Sequence, residues 1–171
     1  MQDFVHLHVH TQYSILDGQA AIPKLVDKAI KDGMRGMAIT DHGNMMGIKE
    51  FFNYTNKVTG KAKGIVKDTE AKLASLQDGT YAPKFDKEGE NPDEGKTKEQ
   101  LISECEATLK KQRPIANFKP IFGCEMYVAR RGDKSLKQDR TDQSGWHLIV
   151  LAKNEHGYHN LIKLVSRAWV D

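Results

Sequence analysis

Hydrophobic positions divide the chain into two regularly patterned ends and a polar middle. Apolar and polar residues alternate over residues 5–10, as they do in a β-strand. Apolar residues then recur at helical spacing over 22–30, and Gly33 stands where that helix should end. Residues 35–40 predict a short apolar strand, and residues 48–55 carry the apolar face of a second helix. This end of the chain is therefore predicted to run strand, helix, strand, helix.

The same kind of pattern returns near the other end of the chain. Residues 118–129 predict a strand, 130–145 an exposed loop and 146–153 another strand. The closing helix is predicted to bury five residues at helical spacing, namely Leu161, Leu164, Val165, Ala168 and Trp169. Four strands, with helices after three of them, indicate repeated β–α units and a mostly parallel sheet. Such units place functional loops at the carboxyl ends of the strands.

The middle of the chain, residues 61–117, differs in composition and in its hydrophobic pattern. Two predicted helices flank the stretch KFDKEGENPDEGKTKEQ, which is rich in charge and offers almost nothing to bury. The second of these helices opens with a capping-box pattern, Thr97 to Gln100. Its apolar stripe consists of Leu101, Cys105 and Leu109. We interpret this segment as a helical insertion in an α/β domain.

Composition argues against some classes of function, among them membrane proteins and proteins that bind nucleic acid through a high net charge. The net charge of +3 gives no electrostatic argument for nucleic acid, so any phosphate binding must be argued from a site. No apolar run approaches the ~18 residues that span a bilayer, and the first residues lack a signal-peptide pattern. The two cysteines form no CxxC pair. We therefore expect one domain with a real core, no membrane partner and a cytoplasmic location.

Histidine placement is the most informative feature of the sequence. Four of the seven histidines precede residue 43, and the other three follow residue 146. Side chains two residues apart on a strand lie on one face, about 6.6 Å apart, so His8 and His10 can share a metal ion. A lone histidine is more often a hydrogen-bonded structural residue, but three on one face of a strand favour metal binding. His6, the first of them, is predicted to lie deeper in the interior.

Two further segments strengthen the case for a metal site. TDHGN places Asp41 and His42 where a strand ends, although a turn closed by an Asp side chain is an alternative explanation. Glu125 lies in the apolar strand IFGCEMYV, where an unpaired carboxylate is costly to bury. Bridging two metal ions would offset that cost. An ion pair with Arg130 or Arg131 is the alternative.

The remaining histidines separate into a candidate and two surface residues. His147 is flanked by apolar residues and is a candidate ligand, whereas His156 and His159 are predicted on an exposed helix. Clusters of His, Asp and Glu suit zinc, manganese or iron, and also admit magnesium. Such sites activate water and neutralise charge on phosphoryl oxygens, which makes phosphoester hydrolysis the natural reaction class. The sequence has no G-x-S-x-G elbow and no P-loop, so serine-nucleophile and P-loop functions have no support.

Four segments carry a resemblance to a known family: HLHVHTQYSILDG, AITDHGN, IFGCEMYVA and HLIVLAKNEHGYHNLIKLVSRA. Over residues 3–60 and 118–170 the chain resembles the N-terminal polymerase-and-histidinol-phosphatase (PHP) domain of bacterial replicative DNA polymerase III alpha subunits. The resemblance implies a distorted, TIM-like (β/α)7 barrel holding up to three divalent metal ions. The expected fold class is therefore α/β, a partial (β/α)7 barrel with a helical insertion at about 61–117.

The resemblance also implies site residues. His8 and His10 match the family's HxH pair, Asp17 matches the acid of its SxLDG segment, and Glu125 matches its bridging carboxylate. His8, His10 and Glu125 are implied to act in catalysis through the bound metals, zinc or manganese, with magnesium also admitted. The six implied metal ligands are His8, His10, Asp17, His42, Glu125 and His147. Asp17 is the one that the residue patterns alone do not select.

The resemblance finally bears on the protein as a whole. The family's remaining ligands lie in segments absent from residues 1–171, so the chain is expected to be the N-terminal part of a PHP domain. The parent would be a DNA-directed DNA polymerase, a nucleotidyltransferase, with DNA and replisome subunits as partners, a proofreading subunit among them. The chain alone is expected to bind metal incompletely, to lack robust activity and to self-associate through an open sheet edge.

Three hypotheses for the domain follow from this resemblance. The first is a metal-dependent phosphoesterase, a 3′–5′ exonuclease, within the polymerase. The second is a non-catalytic structural or docking module. The third is a stand-alone phosphoesterase of the PHP family.

Overall fold

The computed structural model describes residues 4–83, 85, 88–136, 138–143 and 145–170. These residues form four α-helices, three β-strands and one 3-10 helix, Arg140–Gln143. In chain order the helices and strands are α1 (Ile22–Lys31), β1 (Gly36–Ile39), α2 (Ile48–Asp78), α3 (Lys98–Ala116), β2 (Lys119–Val128), β3 (Trp146–Leu151) and α4 (Glu155–Val170). They divide into two compact units, the site unit, which runs up to Thr55 and resumes at Phe118, and the middle unit, Asn56–Asn117.

The site unit is built around a sheet with the strand order β1–β2–β3. β1 and β2 are parallel, with Gly36 opposite Lys119 at one end and Ile39 opposite Phe122 at the other. β2 and β3 are antiparallel over residues 123–128 and 146–151. The mixed α/β class is thus confirmed. The strands of the described ranges form no closed barrel, and the (β/α)7 barrel stays a prediction.

The antiparallel β3 corrects the expectation of a mostly parallel sheet. The connection between β2 and β3, residues 129–145, is polar, and its described residues form only the short 3-10 helix. It therefore supplies no apolar helix to cover a face of the sheet, as the crossover between parallel strands does. The chain instead turns back and pairs directly with the strand that it has just left.

The first predicted strand, residues 5–10, is an extended segment without regular strand structure. It lies against β1, where Ala38 N donates to His6 O at 2.8 Å and Thr40 N donates to Val9 O at 2.9 Å. The segment advances by three residues between these bonds and β1 by only two. A regular ladder is impossible with that mismatch, so the strict alternation predicted from the sequence is lost.

Two side-chain predictions for this segment are wrong for the same reason. Leu7, which the predicted alternation puts on the apolar face of the strand, is 48% exposed. His6, predicted to lie deeper in the interior, is exposed, and its ring meets the edge of Phe4 at a centroid distance of 4.7 Å.

The helix α1 confirms the first helical prediction. Its proline lies in the first turn, and Gly33, just past the C-terminal end, has φ of 78°, a conformation that glycine adopts without strain. Its apolar face packs into the core of the site unit. That core consists of Ile22, Val26, Ala29, Met37, Ile39, Ile48, Phe51 and Phe118.

The helix α4 confirms the element but not its predicted buried face. Leu161 is 1% exposed, and Tyr158 packs against the core of the site unit. The second half of α4 faces solvent instead, since Leu164 is 51% exposed and Trp169 72%. Helical periodicity shows which face is apolar, but it does not supply an element to cover that face. The exposed positions predicted for His156 and His159 are confirmed.

The middle unit contains most of α2 and all of α3. α3 begins with the predicted capping box, in which Gln100 N donates to the Thr97 hydroxyl and Thr97 N donates to the Gln100 side chain. Its stripe, Leu101, Cys105 and Leu109, is buried as predicted. None of the described helices combines the length and apolarity that a membrane span requires. That the segment at about 61–117 is an insertion stays a prediction.

Candidate metal centre

A single buried carboxylate lies at the centre of the site. Glu125, on β2, is 4% exposed. Its Oε2 lies 2.8 Å from His42 Nδ1 and 3.0 Å from His10 Nε2. Its Oε1 lies 2.8 Å from His147 Nδ1 and 3.8 Å from His8 Nε2. Each carboxylate oxygen therefore faces two imidazoles.

The sheet positions two of these imidazoles. His42 lies directly opposite Glu125 in an isolated parallel bridge just beyond the end of β1. Gly43 N donates to Glu125 O at 2.8 Å and locks that pairing. On the other side, His147 is opposite Tyr127 in the antiparallel ladder, which places it diagonally across from Glu125 and within reach of its carboxylate.

A tight turn brings Asp17 to the same place. Asp17 N and Gly18 N both donate to Ser14 O, at 2.9 and 2.7 Å. A Cβ atom on Gly18 would lie only 2.1 Å from Thr11 O, so the close return of the chain requires glycine there. The turn sets Asp17 Oδ2 3.2 Å from His42 Nδ1. Asp17 thus joins the cluster through His42 rather than through Glu125.

Asp41 holds this turn in place by hydrogen bonds, and it belongs to none of the groupings of ligand residues among the described residues. Its carboxylate accepts hydrogen bonds from Thr11 N at 2.6 Å, Thr11 Oγ1 at 2.9 Å and Ser14 Oγ at 2.8 Å. The side chain is 2% exposed. Asp41 is therefore accounted for by hydrogen bonds to the turn that begins at Thr11, and not by the local turn within TDHGN that was the alternative, whereas His42 faces the cluster. The only sequence signal for this role is the pair of hydroxyl residues at positions 11 and 14.

Thr40 is a second residue that sequence reasoning missed. Its hydroxyl lies 2.9 Å from His8 Nδ1 and accepts from Val9 N at 3.0 Å. It therefore holds the His8 ring with Nε2 turned toward Glu125. Metal-binding histidines are commonly oriented in this way through the nitrogen that does not bind the metal.

Four imidazoles rather than an arginine surround the Glu125 carboxylate. Burial alone would raise its pKa, but the hydrogen bond from His42 and the charges of His10, His147 and His42 outweigh burial and hold the pKa of this carboxyl below its usual value. The predicted alternative, an ion pair with an arginine, is not the arrangement found. Arg131 pairs with Asp142, and the Arg130 guanidinium lies over the Trp146 ring.

The residues present fit a metal centre. Ligand atoms on a tetrahedral zinc ion, bound at about 2.0–2.1 Å, are about 3.3 Å apart, within the range found around Glu125. His10 Nδ1 is buried and has no hydrogen-bond partner among the described residues, and such an unpaired polar atom calls for an explanation. Within the part of the chain that the structure describes, three groupings have ligand atoms within 4.8 Å of one another: His8, His10 and Glu125; His10, Asp17 and His42; His42, Glu125 and His147.

All six residues selected from the sequence thus come together in the structure, each in at least one of the three groupings. Their role as metal ligands, and the catalytic role of His8, His10 and Glu125, stay predictions. Neither the identity nor the number of metal ions follows from this geometry.

Comparison with known proteins agrees with the resemblance seen in the sequence. The PHP domain family matches residues 6–171. The chain belongs to the PHP domain family. It is 32% identical over 168 residues to the DNA polymerase III subunit alpha of Borreliella burgdorferi and to that of Treponema pallidum. It is 31% identical over 177 residues to the same subunit of Mycobacterium tuberculosis.

These alignments cover 96–98% of this PHP domain chain but only 9–10% of each relative. The chain therefore spans about a tenth of the length of the relatives it matches. The matched region also takes in residues 61–117, which lay outside the segments that carried the sequence resemblance.

Proposed function

We propose that this chain is part of a DNA polymerase III alpha subunit and that its PHP site is a metal-dependent phosphoesterase. The substrate proposed is the 3′-terminal phosphodiester of DNA, which makes the activity a 3′–5′ exonuclease. The parent protein would synthesise DNA, with replisome subunits as partners. One observation carries the proposal, the buried Glu125 carboxylate shared by four imidazoles.

The proposed roles follow from the contacts of each residue. Glu125, with an oxygen toward each pair of imidazoles, would hold the metal ions from the centre of the cluster. His8, His10, Asp17, His42 and His147 would hold the ions around it. When bound, zinc or manganese supplies activation of water and neutralisation of charge on a phosphoryl oxygen. Thr40 orients the His8 ring, and Asp41 fixes the turn that carries Asp17.

Access to the site favours catalysis over a purely structural metal site. The side chains of His8, Asp17 and His147 are 47%, 48% and 51% exposed, whereas those of Glu125 and His10 are only 5% and 16% exposed. Glu125 and His10 thus form a buried side of the cluster, and the opposite side is open to solvent. Structural zinc sites are usually closed, whereas catalytic sites keep a position open for water or substrate.

The experiment compares His10→Ala with His156→Ala in the full-length protein that contains this chain. Both remove one imidazole, but His156 lies exposed on α4, away from the cluster. With manganese or zinc present, we expect His10→Ala to lower release of nucleotides from the 3′ end of single-stranded DNA by about 100-fold or more. His156→Ala should match the wild type, and extension of a primed template should be unchanged in both. Equal exonuclease rates in all three proteins would contradict the proposal.

A structural role for the metal is the second candidate function. The ligands come from separate segments, residues 8–17, His42, Glu125 and His147, so that bound ions would join these segments. In that case manganese would raise the melting temperature of the wild type but not of His10→Ala, and neither protein would hydrolyse DNA. Hydrolysis of small phosphate esters without hydrolysis of DNA would instead favour a stand-alone type of phosphoesterase.

A further inference from the structure

A cleft of about 490 Å³ opens beside the cluster and is not accounted for by the metal ligands. It lies wholly within the site unit, between the cluster, the polar loop after β2 and the C-terminal half of α4. His42 forms part of its wall, so anything bound in the cleft lies next to the cluster. Its size is that of a small-ligand pocket.

The side chain of Trp169 lines this cleft and is hydrogen-bonded there. Trp169 Nε1 donates to Gly43 O at 2.8 Å, one residue beyond His42, yet the side chain is 72% exposed. The hydrogen bond restricts the orientation of this exposed indole and leaves a face of its ring open. A ligand that stacks on this face would incur a smaller entropic cost of ordering the ring.

Tyr127 lines the same cleft and also contacts two residues of the cluster. Its ring contacts the rings of His42 and His147 edge-on, at centroid distances of 4.7 and 4.8 Å, and it is 48% exposed. Charged side chains of both signs also line the cleft, Arg130 and Lys134 together with Asp133 and Asp142. Exposed aromatic faces together with basic side chains are the combination that binds the bases and backbone of single-stranded nucleic acids.

We propose that this cleft binds the base of a nucleoside phosphate, with the indole of Trp169 as its stacking surface. The inference rests on the proposed function, because it assumes that the phosphate of the same ligand lies at the cluster. It adds that the site selects nucleotides over sugar phosphates and that Trp169 is a specificity-determining residue. Base stacking on an aromatic ring tolerates every base, so the preference should not depend on sequence.

The test measures binding of deoxyadenosine 5′-monophosphate and 2-deoxyribose 5-phosphate to the 171-residue chain by calorimetry, with and without manganese. The two probes share the phosphate and the sugar and differ in the base. We expect the nucleotide to bind about 10-fold more tightly. Trp169→Leu should abolish this preference, whereas Trp169→Phe, which keeps an aromatic ring without the hydrogen bond that orders it, should keep part of it. Both variants lose the hydrogen bond to Gly43, so the comparison isolates the aromatic ring.

The second tryptophan, Trp146, provides a spectroscopic control. It is exposed, lies under the Arg130 guanidinium and does not line the cleft. In Trp146→Phe the nucleotide preference should persist, and the nucleotide should quench the fluorescence of Trp169 whereas the sugar phosphate should not.

The outcomes separate the two proposals. Base-dependent binding and quenching that persist without manganese would support the cleft while removing its link to the phosphoesterase. Equal, manganese-dependent affinity for both probes would overturn the cleft proposal and leave the phosphoesterase standing. Absence of base-dependent binding, or its loss in Trp169→Phe as well as in Trp169→Leu, would overturn the stacking role of Trp169.

Discussion

His42 Nδ1 lies 2.8 Å from Glu125 Oε2, and the two residues continue the register that aligns β1 with β2. The offset that pairs Gly36 with Lys119 is the one that pairs His42 with Glu125. The spacing of these two side chains is therefore set by the backbone hydrogen bonds of a buried parallel pair, rather than by a loop. A site on a rigid element holds its geometry more precisely than one on a flexible segment.

Replacement of Glu125 by glutamine tests the centre of the cluster. Glu125→Gln keeps the shape of the side chain but removes the negative charge that four imidazoles share. We expect the affinity for manganese, measured by calorimetry, to fall by about 100-fold or more. Glu155→Gln is the matched control, because Glu155 is 90% exposed and lies 3.9 Å from a single histidine, His159. Equal affinities in the two variants would show that Glu125 is not a ligand.

Substitutions of the two aspartates near His42 should have different effects, one on the stability of the fold and the other on metal binding. Asp41 is buried and accepts three hydrogen bonds, so Asp41→Asn should lower the free energy of unfolding of the metal-free chain by about 2–3 kcal/mol. The side chain of Asp17 is 48% exposed, so Asp17→Asn should change that free energy by no more than about 0.5 kcal/mol. Manganese affinity, by contrast, should fall in Asp17→Asn. Urea unfolding and calorimetry measure the two quantities, and the reverse order of effects would exchange the assigned roles.

Local pattern predicted most elements of this fold. The stripe of α1, the apolar runs of β1, β2 and β3, and the capping box of α3 each depend on neighbours in sequence, and each was confirmed. The direction of β3 and the exposed end of α4 were not predictable in this way. Both depend on which other elements are there to pair with or to cover an apolar face.

Some residues of the candidate site could likewise be predicted from local sequence, and others could not. Histidines and a carboxylate in apolar strands were conspicuous, because such groups are costly to bury without partners. Asp17 emerged only from family resemblance. Thr40 and Asp41 were missed as orienting residues, since their partners, His8 and Thr11, lie about 30 positions earlier in the chain. Pairing over that separation leaves no periodic signal in the sequence.

Gly47 should tolerate no side chain, because of its packing against the turn that carries Asp17. A Cβ atom there would lie 2.9 Å from Asp41 Oδ2 and 3.0 Å from Tyr13 Cδ2. Asp41 is locked by its hydrogen bonds and cannot yield, so Gly47→Ala should destabilise the chain by about 1–3 kcal/mol in urea unfolding.

Gly60→Ala is the same substitution, but we expect it to stabilise the chain rather than destabilise it. Gly60 lies inside α2, where an added Cβ meets nothing within 4 Å. Alanine should stabilise the helix by about 0.5–1 kcal/mol, measured by circular dichroism during urea unfolding. Similar effects at the two glycines would contradict the packing described for Gly47.

The two cysteines allow metal binding to be followed in each unit separately. Cys124 lies beside Glu125 and is fully buried, and burial together with the charges of Asp41 and Glu125 raises the pKa of its thiol to about 11. Cys105, in the middle unit, is 4% exposed, and burial raises its thiol pKa as well. At pH 8 both thiols should react with iodoacetamide only when their surroundings open.

Manganese at 100 times its dissociation constant should stabilise the site unit by about 2.7 kcal/mol. In moderate urea, labelling of Cys124 should therefore slow by about 100-fold, whereas labelling of Cys105 should change little. Mass spectrometry of the labelled peptides measures both rates in one sample, and manganese is chosen because it has little affinity for thiolates. His10→Ala should remove the protection of Cys124. Equal protection of both cysteines would show that the two units open together, and protection of neither would show that the folded site does not bind the ion.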